Sequence, residues 1–341
     1  MKKALLAVAF SGMVLVGFCQ QDPQFSQNMR NRLFPNPGVA GSNDAICATL
    51  LGRNQWVGFE GAPESYLFSV HAPLNWRLPG TNWQVKSGVG LSIVTDRLGQ
   101  ESTFGVKLSY AHRQPLNLGG IPAHLGIGIG VGMISKSIGQ NWRATDAFFS
   151  DAAIPDNGAG NNGFDADFGL YYKTDDNKLY IGLSVTHLSE SDIAEAGDGL
   201  SAQLPTNPDV VPYDFNYQVA RHYYVMAGYN YPLNPAIVLK PSVFMKSDAL
   251  STQIDVNMSV EYNNKFWGGV TYRAVDAIVP MVGVNHSFNT IPGTFKFGYS
   301  YDVTTSLIRT ASSGTHEILL NYCFKLNIVR PIEKHKTVRF L

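Results

Sequence analysis

Phe164-Asp165-Ala166-Asp167-Phe168-Gly169-Leu170-Tyr171-Tyr172-Lys173 alternates its side chains through ten residues. Phe164, Ala166, Phe168, Leu170 and Tyr172 share one parity, and Asp165, Asp167, Gly169, Tyr171 and Lys173 the other. Successive side chains of a strand point to opposite faces, so this segment has one apolar face and one wet face. The pattern recurs. Ile254, Val256, Met258, Val260 and Tyr262 interleave with Asp255, Asn257, Ser259 and Glu261; Phe295, Phe297, Tyr299 and Tyr301 interleave with Lys296, Gly298, Ser300 and Asp302. Near the end, Ile318, Leu320, Tyr322, Phe324 and Leu326 alternate with Glu317, Leu319, Asn321, Cys323 and Lys325.

A soluble sandwich alternates too, but it would place Lys, Glu and Thr on its outer faces. Here the polar face is Gly, Ser, Asn and isolated carboxylates, while aromatics sit at the ends of the apolar face. That is a strand with lipid outside and a lumen inside. Composition agrees: 33 glycines and 12% aromatics accompany only 15% charged residues. The formal charge of zero gives no electrostatic footprint for nucleic acid.

The expected fold is therefore an all-β transmembrane barrel of about fourteen antiparallel strands. They fall near 45–56, 65–72, 87–97, 101–113, 122–137, 163–174 and 178–188, then 215–230, 235–247, 252–262, 265–274, 277–287, 294–303 and 314–327. An even count puts both chain ends in the periplasm. The long connections 138–162, 189–214 and 304–313 are then all extracellular. The tight turns at Asp175-Asp176-Asn177, Pro232-Leu233-Asn234 and Asn263-Asn264 are periplasmic, with Asn and Asp tolerating the left-handed backbone of such turns.

Residues 1–19 read as a signal peptide. Lys2 and Lys3 precede an apolar run from Ala4 to Phe18, too short for a membrane helix, with small residues at Gly17 and Cys19. Phe18 stands where lipoprotein processing wants a small residue, which disfavours acylation of Cys19. Residues 20–44 form an N-terminal periplasmic or plug segment, 45–327 the barrel, and 328–341 a basic periplasmic tail.

Gly126, Gly128, Gly130 and Gly132 lie on the lumen parity of one strand. Bare backbone there lets another segment approach closely, so the N-terminal segment or a loop could pack on the stripe as a plug; a bend in the strand explains it equally well. Asp165, Asp167, Asp255 and Glu261 read as a solvated, partly cation-paired lumen rather than acid–base chemistry. No His pair, GxSxG or HExxH motif is present, and no metal or cofactor is expected. Cys47 and Cys323 fall on lumen parity in the first and last strands, which are neighbours in a closed barrel. A disulfide across the seam is geometrically open to them, with two buried thiols the simpler alternative. Trp142, Phe148 and Phe149 in a long outer connection are candidate anchors for a partner, or else membrane-interface residues.

Asp22-Pro23-Gln24-Phe25-Ser26-Gln27, Asn36-Pro37-Gly38-Val39-Ala40-Gly41-Ser42, Arg53-Asn54-Gln55-Trp56-Val57-Gly58-Phe59, Gly61-Ala62-Pro63 and the final Arg339-Phe340-Leu341 form a set. The set resembles the PorP/SprF family of type IX secretion membrane proteins from Bacteroidetes, from the signal peptide to the last residue. Asn31-Arg32-Leu33-Phe34 departs from the family's more apolar stretch. The resemblance implies a non-enzymatic outer-membrane barrel of a Gram-negative cell. Its implied partners are other type IX components and large secreted surface proteins, such as gliding adhesins, with C-terminal domains of the second, "type B" kind. It also implies specific contacts for the end motifs and makes the tail a docking or lumen-bound element, packed with the N-terminal segment in or under the barrel. A channel or transporter for small solutes is the alternative.

Overall fold

The computed structural model describes residues 22–77, 84–139, 158–195, 215–288 and 292–325. Its strands are β1 (Ile46–Asn54), β2 (Glu64–Arg77), β3 (Gln84–Leu98), β4 (Glu101–Leu118), β5 (Ile121–Ile138), β6 (Ala159–Thr174) and β7 (Leu179–Thr186). There follow β8 (Asp192–Glu195), β9 (Phe215–Gln218), β10 (His222–Tyr229), β11 (Tyr231–Asn234), β12 (Ile237–Ser247) and β13 (Thr252–Tyr262). The last are β14 (Phe266–Arg273), β15 (Ala277–Ser287), β16 (Thr294–Thr304) and β17 (Thr315–Phe324).

Fourteen of these form a closed antiparallel ring: β1 to β7, then β10, then β12 to β17, which pairs back onto β1. Closure leaves no unpaired edge, the condition for β-structure to span lipid. The connections sort to two ends. A turn end carries the two-residue turns 119–120 and 235–236 and the short links after β6 and β13. A loop end carries the longer connections after β5, β7 and β16.

The polarity is inside out. Arg53, Arg273 and Glu317 are fully buried in the lumen, whereas Leu108 and Phe164 are each 60% exposed on the outer wall. β13 is the cleanest case, with Asp255, Asn257, Ser259 and Glu261 inward and Ile254, Val256, Met258 and Val260 outward. Such a surface is stable only against an apolar solvent. No helix among the described residues is long and apolar enough to cross a membrane.

Several strand boundaries differ from the sequence expectation; β4, for example, runs to Leu118 rather than 113, and β6 begins at Ala159 rather than 163. The strand expected over 215–230 is divided: β9 leaves the ring and pairs with β8 in a separate ribbon, and only β10 joins the wall. Pro232-Leu233-Asn234, expected as a turn, belongs to β11, and the turn is at Pro235-Ala236. There the Asn234 side chain accepts from Ala236 N at 2.9 Å and Ile237 N at 2.8 Å, so it organises the turn from one position before it. Pro241 in β12 brings no N–H, and the partner strand is interrupted opposite it, between β10 and β11. β2 runs past the expected end at 72 to Arg77, because its ladder with β3 continues through Pro73.

The β1–β17 register sets Cys47 directly opposite Cys323, and the two are joined as a disulfide with Cα atoms 4.1 Å apart. It lies on the seam near the turn end.

Candidate functional site

The lumen is filled by residues 22–44, which run from the loop end to the turn end. The charged residues that meet the start of this segment, Arg53, Arg273, Asp302 and Glu317, stand at the loop-end tips of β1, β14, β16 and β17. Asp44 ends the segment two residues before β1 begins at the turn end.

The segment is irregular: two short 3₁₀ turns, Asn28–Arg30 and Pro37–Val39, with no strand. Pro and Asn are frequent in it, so its backbone groups must find partners on the wall. Ser26 N and Gln27 N donate to the two oxygens of Glu317 at 2.6 and 2.8 Å. Ser26 Oγ meets Asp302 at 2.7 Å, and Arg53 and Arg273 donate to it at 2.5 and 3.1 Å. Arg53 and Arg273 pair with Asp302 at 3.0 and 2.8 Å, and Arg273 reaches Asp255 at 3.3 Å. Asn28 donates to Asp255 at 3.1 Å. One serine thus sits in a dry knot of two guanidinium and three carboxylate groups.

Apolar anchors follow. Phe25 and Phe34 meet edge to face at 5.8 Å and pack on Leu51, Leu67 and Leu319. Leu33, Val39 and Ala40 pack with Ala111, Tyr171 and Met226. Arg30 lies 3.7 Å over the Trp267 ring, and Arg32 donates to Tyr171 Oη at 2.6 Å.

Toward the turn end the contacts become backbone on backbone. A Cβ on Gly126 would stand 2.2 Å from Gly38 O, and one on Gly128 would stand 2.3 Å from Gly38 N. A Cβ on Gly88 would meet Ala40 O at 2.2 Å. Asn36 organises the loop, accepting from Gly38 N at 2.8 Å and donating to Leu170 O at 3.0 Å. Gly41 adopts φ +72°, a left-handed turn where a side chain would also strike Gly88 Cα. Arg113 holds Gly41 O at 2.9 Å and Asp44 at 2.6 Å. Partial burial pushes the Asp44 carboxyl up, but the Arg113 hydrogen bond and charge outweigh it and hold it below the usual range.

The glycine stripe therefore divides. Gly126 and Gly128 receive the luminal segment, whereas Gly130 and Gly132 face wall atoms of Asp167 and Val106. The carboxylates expected to line a solvated, partly cation-paired lumen are buried, and each is paired with a cation. Lys107 bridges Asp165 and Asp167 at 3.0 and 2.9 Å, and Lys240 reaches Glu261 at 2.7 Å. Of the motif residues, Asp22 meets His187 Nε2 at 2.9 Å and accepts from Tyr224 Oη. Arg53 is in the charged knot. Gln55 and Trp56 begin the β1–β2 loop, where Trp56 N donates to Thr315 Oγ1 at 3.1 Å and Trp56 itself adopts φ +51°. Pro23 borders a small apolar crevice with Phe25, Phe34, Tyr224 and Phe244. Trp142, Phe148, Phe149, Arg339, Phe340 and Leu341 lie outside the described residues. Sequence reasoning missed His187, His222, Arg273, Asp302 and Glu317. The last three share lumen parity with Asp255 near one end, a signal that strand register would have gathered.

Among solved structures the chain is similar to the toluene transporter TbuX of Ralstonia pickettii, at 12% identity and TM-score 0.46, covering 86% of this chain and 92% of that one. It is also similar to a FadL homologue of Pseudomonas aeruginosa, at 11% and 0.44 over 82% and 89%. A third is the translocator domain of the autotransporter NalP from Neisseria meningitidis, at 14% and 0.38 over 83% and 87%. These likenesses extend no further than the barrel shape. No curated protein matches the chain. Residues 17–322 match the model of the type IX secretion system membrane protein PorP/SprF. The chain therefore belongs to the PorP/SprF family, as an outer-membrane β-barrel of type IX secretion in a Gram-negative bacterium.

Proposed function

We propose that this barrel is a non-enzymatic holder of another protein, not a conduit. It would bind the type B C-terminal domain of a cognate secreted surface protein, such as a gliding adhesin, at the loop end facing outward. Periplasmic type IX components would meet the turn end. The observation that carries this reading is the occupied lumen: a segment fastened by buried ion pairs at one end and backbone contacts at the other takes up much of the space that a conduit would need. The loop end supplies apolar contact points. Leu307 is 95% exposed, Val275 73% and Leu250 72%, and all three stand on loop-end connections. Val275 is β-branched yet adopts φ +70°, a conformation costing roughly 1–2 kcal/mol that Asn or Gly would avoid. Strain retained at an exposed apolar tip is the reason we assign Val275 as a contact residue.

Co-purification in mild detergent tests the proposal. The native barrel should carry a secreted protein or a type IX subunit, and Leu307→Ser with Val275→Asn should lose the secreted partner while migrating as a folded barrel. Recovery of neither class of partner would overturn it. The small-solute channel keeps one specific prediction, steady conductance of the native barrel in planar bilayers; the filled lumen predicts none.

A further inference from the structure

We propose that Asp22, His187 and His222 form a binding site for a divalent transition-metal ion of the zinc type, which pins the amino end of the luminal segment to the barrel wall. Asp22 comes from that segment, His187 follows β7 and His222 opens β10. One ligand atom from each lies within 4.8 Å of the others.

The geometry of the two rings distinguishes this cluster from a chance meeting of charges. His222 is fully buried, its Nδ1 lies 2.9 Å from the Ala220 carbonyl, and its Nε2 has no hydrogen-bond partner among the described residues. A buried imidazole nitrogen without a partner is costly, and a bound ion would remove that cost. His187 Nδ1 is held by Asp165 at 2.9 Å, leaving Nε2 toward Asp22 at 2.9 Å. In both rings one nitrogen is fixed by an outer acceptor and the other is aimed inward. Metal-bound histidines are oriented in this way. Tyr224 Oη donates to the second Asp22 oxygen and orients the carboxylate likewise.

Two imidazole nitrogens and one carboxylate oxygen suit zinc and its neighbours, with water as a fourth ligand; magnesium and calcium take oxygen sets. The charge balance asks for a cation. With neutral imidazoles, Asp22, Asp165 and Asp167 outnumber Lys107 and Lys246 by one. The neighbouring Asp165–Asp167–His187 group already contains the Lys107 ammonium, at 3.0 and 2.9 Å from the two carboxylates. A proton on His187 would also balance the charge, and it is the rival to be excluded.

The full-length barrel, purified through a tag without histidine and stripped with chelator, would be titrated with zinc by calorimetry. One equivalent should bind. His222→Gln and Asp22→Asn should abolish stoichiometric binding, and Asp165→Asn should weaken it about 10–100-fold. His286→Gln, exposed on β15, should leave it unchanged. Folding of each variant is checked by heat-modifiable migration. Should a variant misfold, X-ray absorption of the cobalt-loaded native protein decides, with two imidazoles in the first shell expected. No zinc binding by the native barrel, binding indifferent to His222, or a cobalt shell without imidazole would overturn the proposal in favour of a protonated His187.

Discussion

The two halves of the luminal segment are held by opposite means. At the loop end, Ser26 to Asn28 meet charged side chains: Arg53, Arg273, Asp302, Glu317 and Asp255. At the turn end, Pro37 to Gly41 meet bare backbone at Gly126, Gly128 and Gly88. A charged knot has high stakes, because each buried ion depends on its partners, yet it can be remade by rotating side chains. A glycine seat involves little electrostatics but cannot yield, because the atoms in contact are main chain on both sides.

Substitutions at the two seats should therefore differ in kind and size. Arg273→Met strips Asp255 of its guanidinium, leaves Asp302 to Arg53 alone, and should destabilise the folded barrel by about 3–5 kcal/mol, read from urea unfolding in lipid vesicles. Gly128→Val should cost about 3 kcal/mol and expel the segment, so that protease trims the amino end and conductance appears in bilayers. Unaltered protection of the amino end would show that the seat is dispensable. Ser26→Ala removes a shared hydroxyl but leaves the ions, and about 1–3 kcal/mol is expected. Gly130→Ala faces only the Asp167 side chain, with Cβ at 3.1 Å, and should change stability by less than about 1 kcal/mol. The smallest effect belongs to Asp44. Its carboxyl titrates below its unfolded value, so its contribution is complete above about pH 4 and fades as pH falls further. Arg113→Gln should flatten that acid limb. Combining Arg273→Met with Gly128→Val sharpens the contrast: additive costs mean two independent seats, and coupling means the segment leaves as one unit.

The seam belongs to the same picture. Cys47 and Cys323 bond strands that the ladder already pairs, near the glycine seat. Peptide mapping without reductant should recover both cysteines in one species, and two free thiols would refute the bond in the mature protein.

Alternation in β6, β13 and β16 made the barrel legible, since a one-residue slip would turn every side chain to the wrong solvent. It could not show that Phe215–Gln218 leaves the ring, because a ribbon and a wall strand alternate alike. It also could not separate Gly126 and Gly128 from Gly130 and Gly132, which have one parity and one residue type. What divides them is the position of Gly38, some ninety residues away in the chain.

By itself, then, the sequence determined the strand period, the parity of each lumen residue, the even count and the family, because these depend on neighbours along the chain and on the solvent each face must meet. Only the tertiary structure decided that residues 22–44 fill the lumen and that Ser26 finds Glu317. It alone brought Asp22 between His187 and His222. Asp22 with His187 and Ser26 with Glu317 join residues 165 and 291 positions apart. Their partners are set by ring closure and register, which no local pattern encodes.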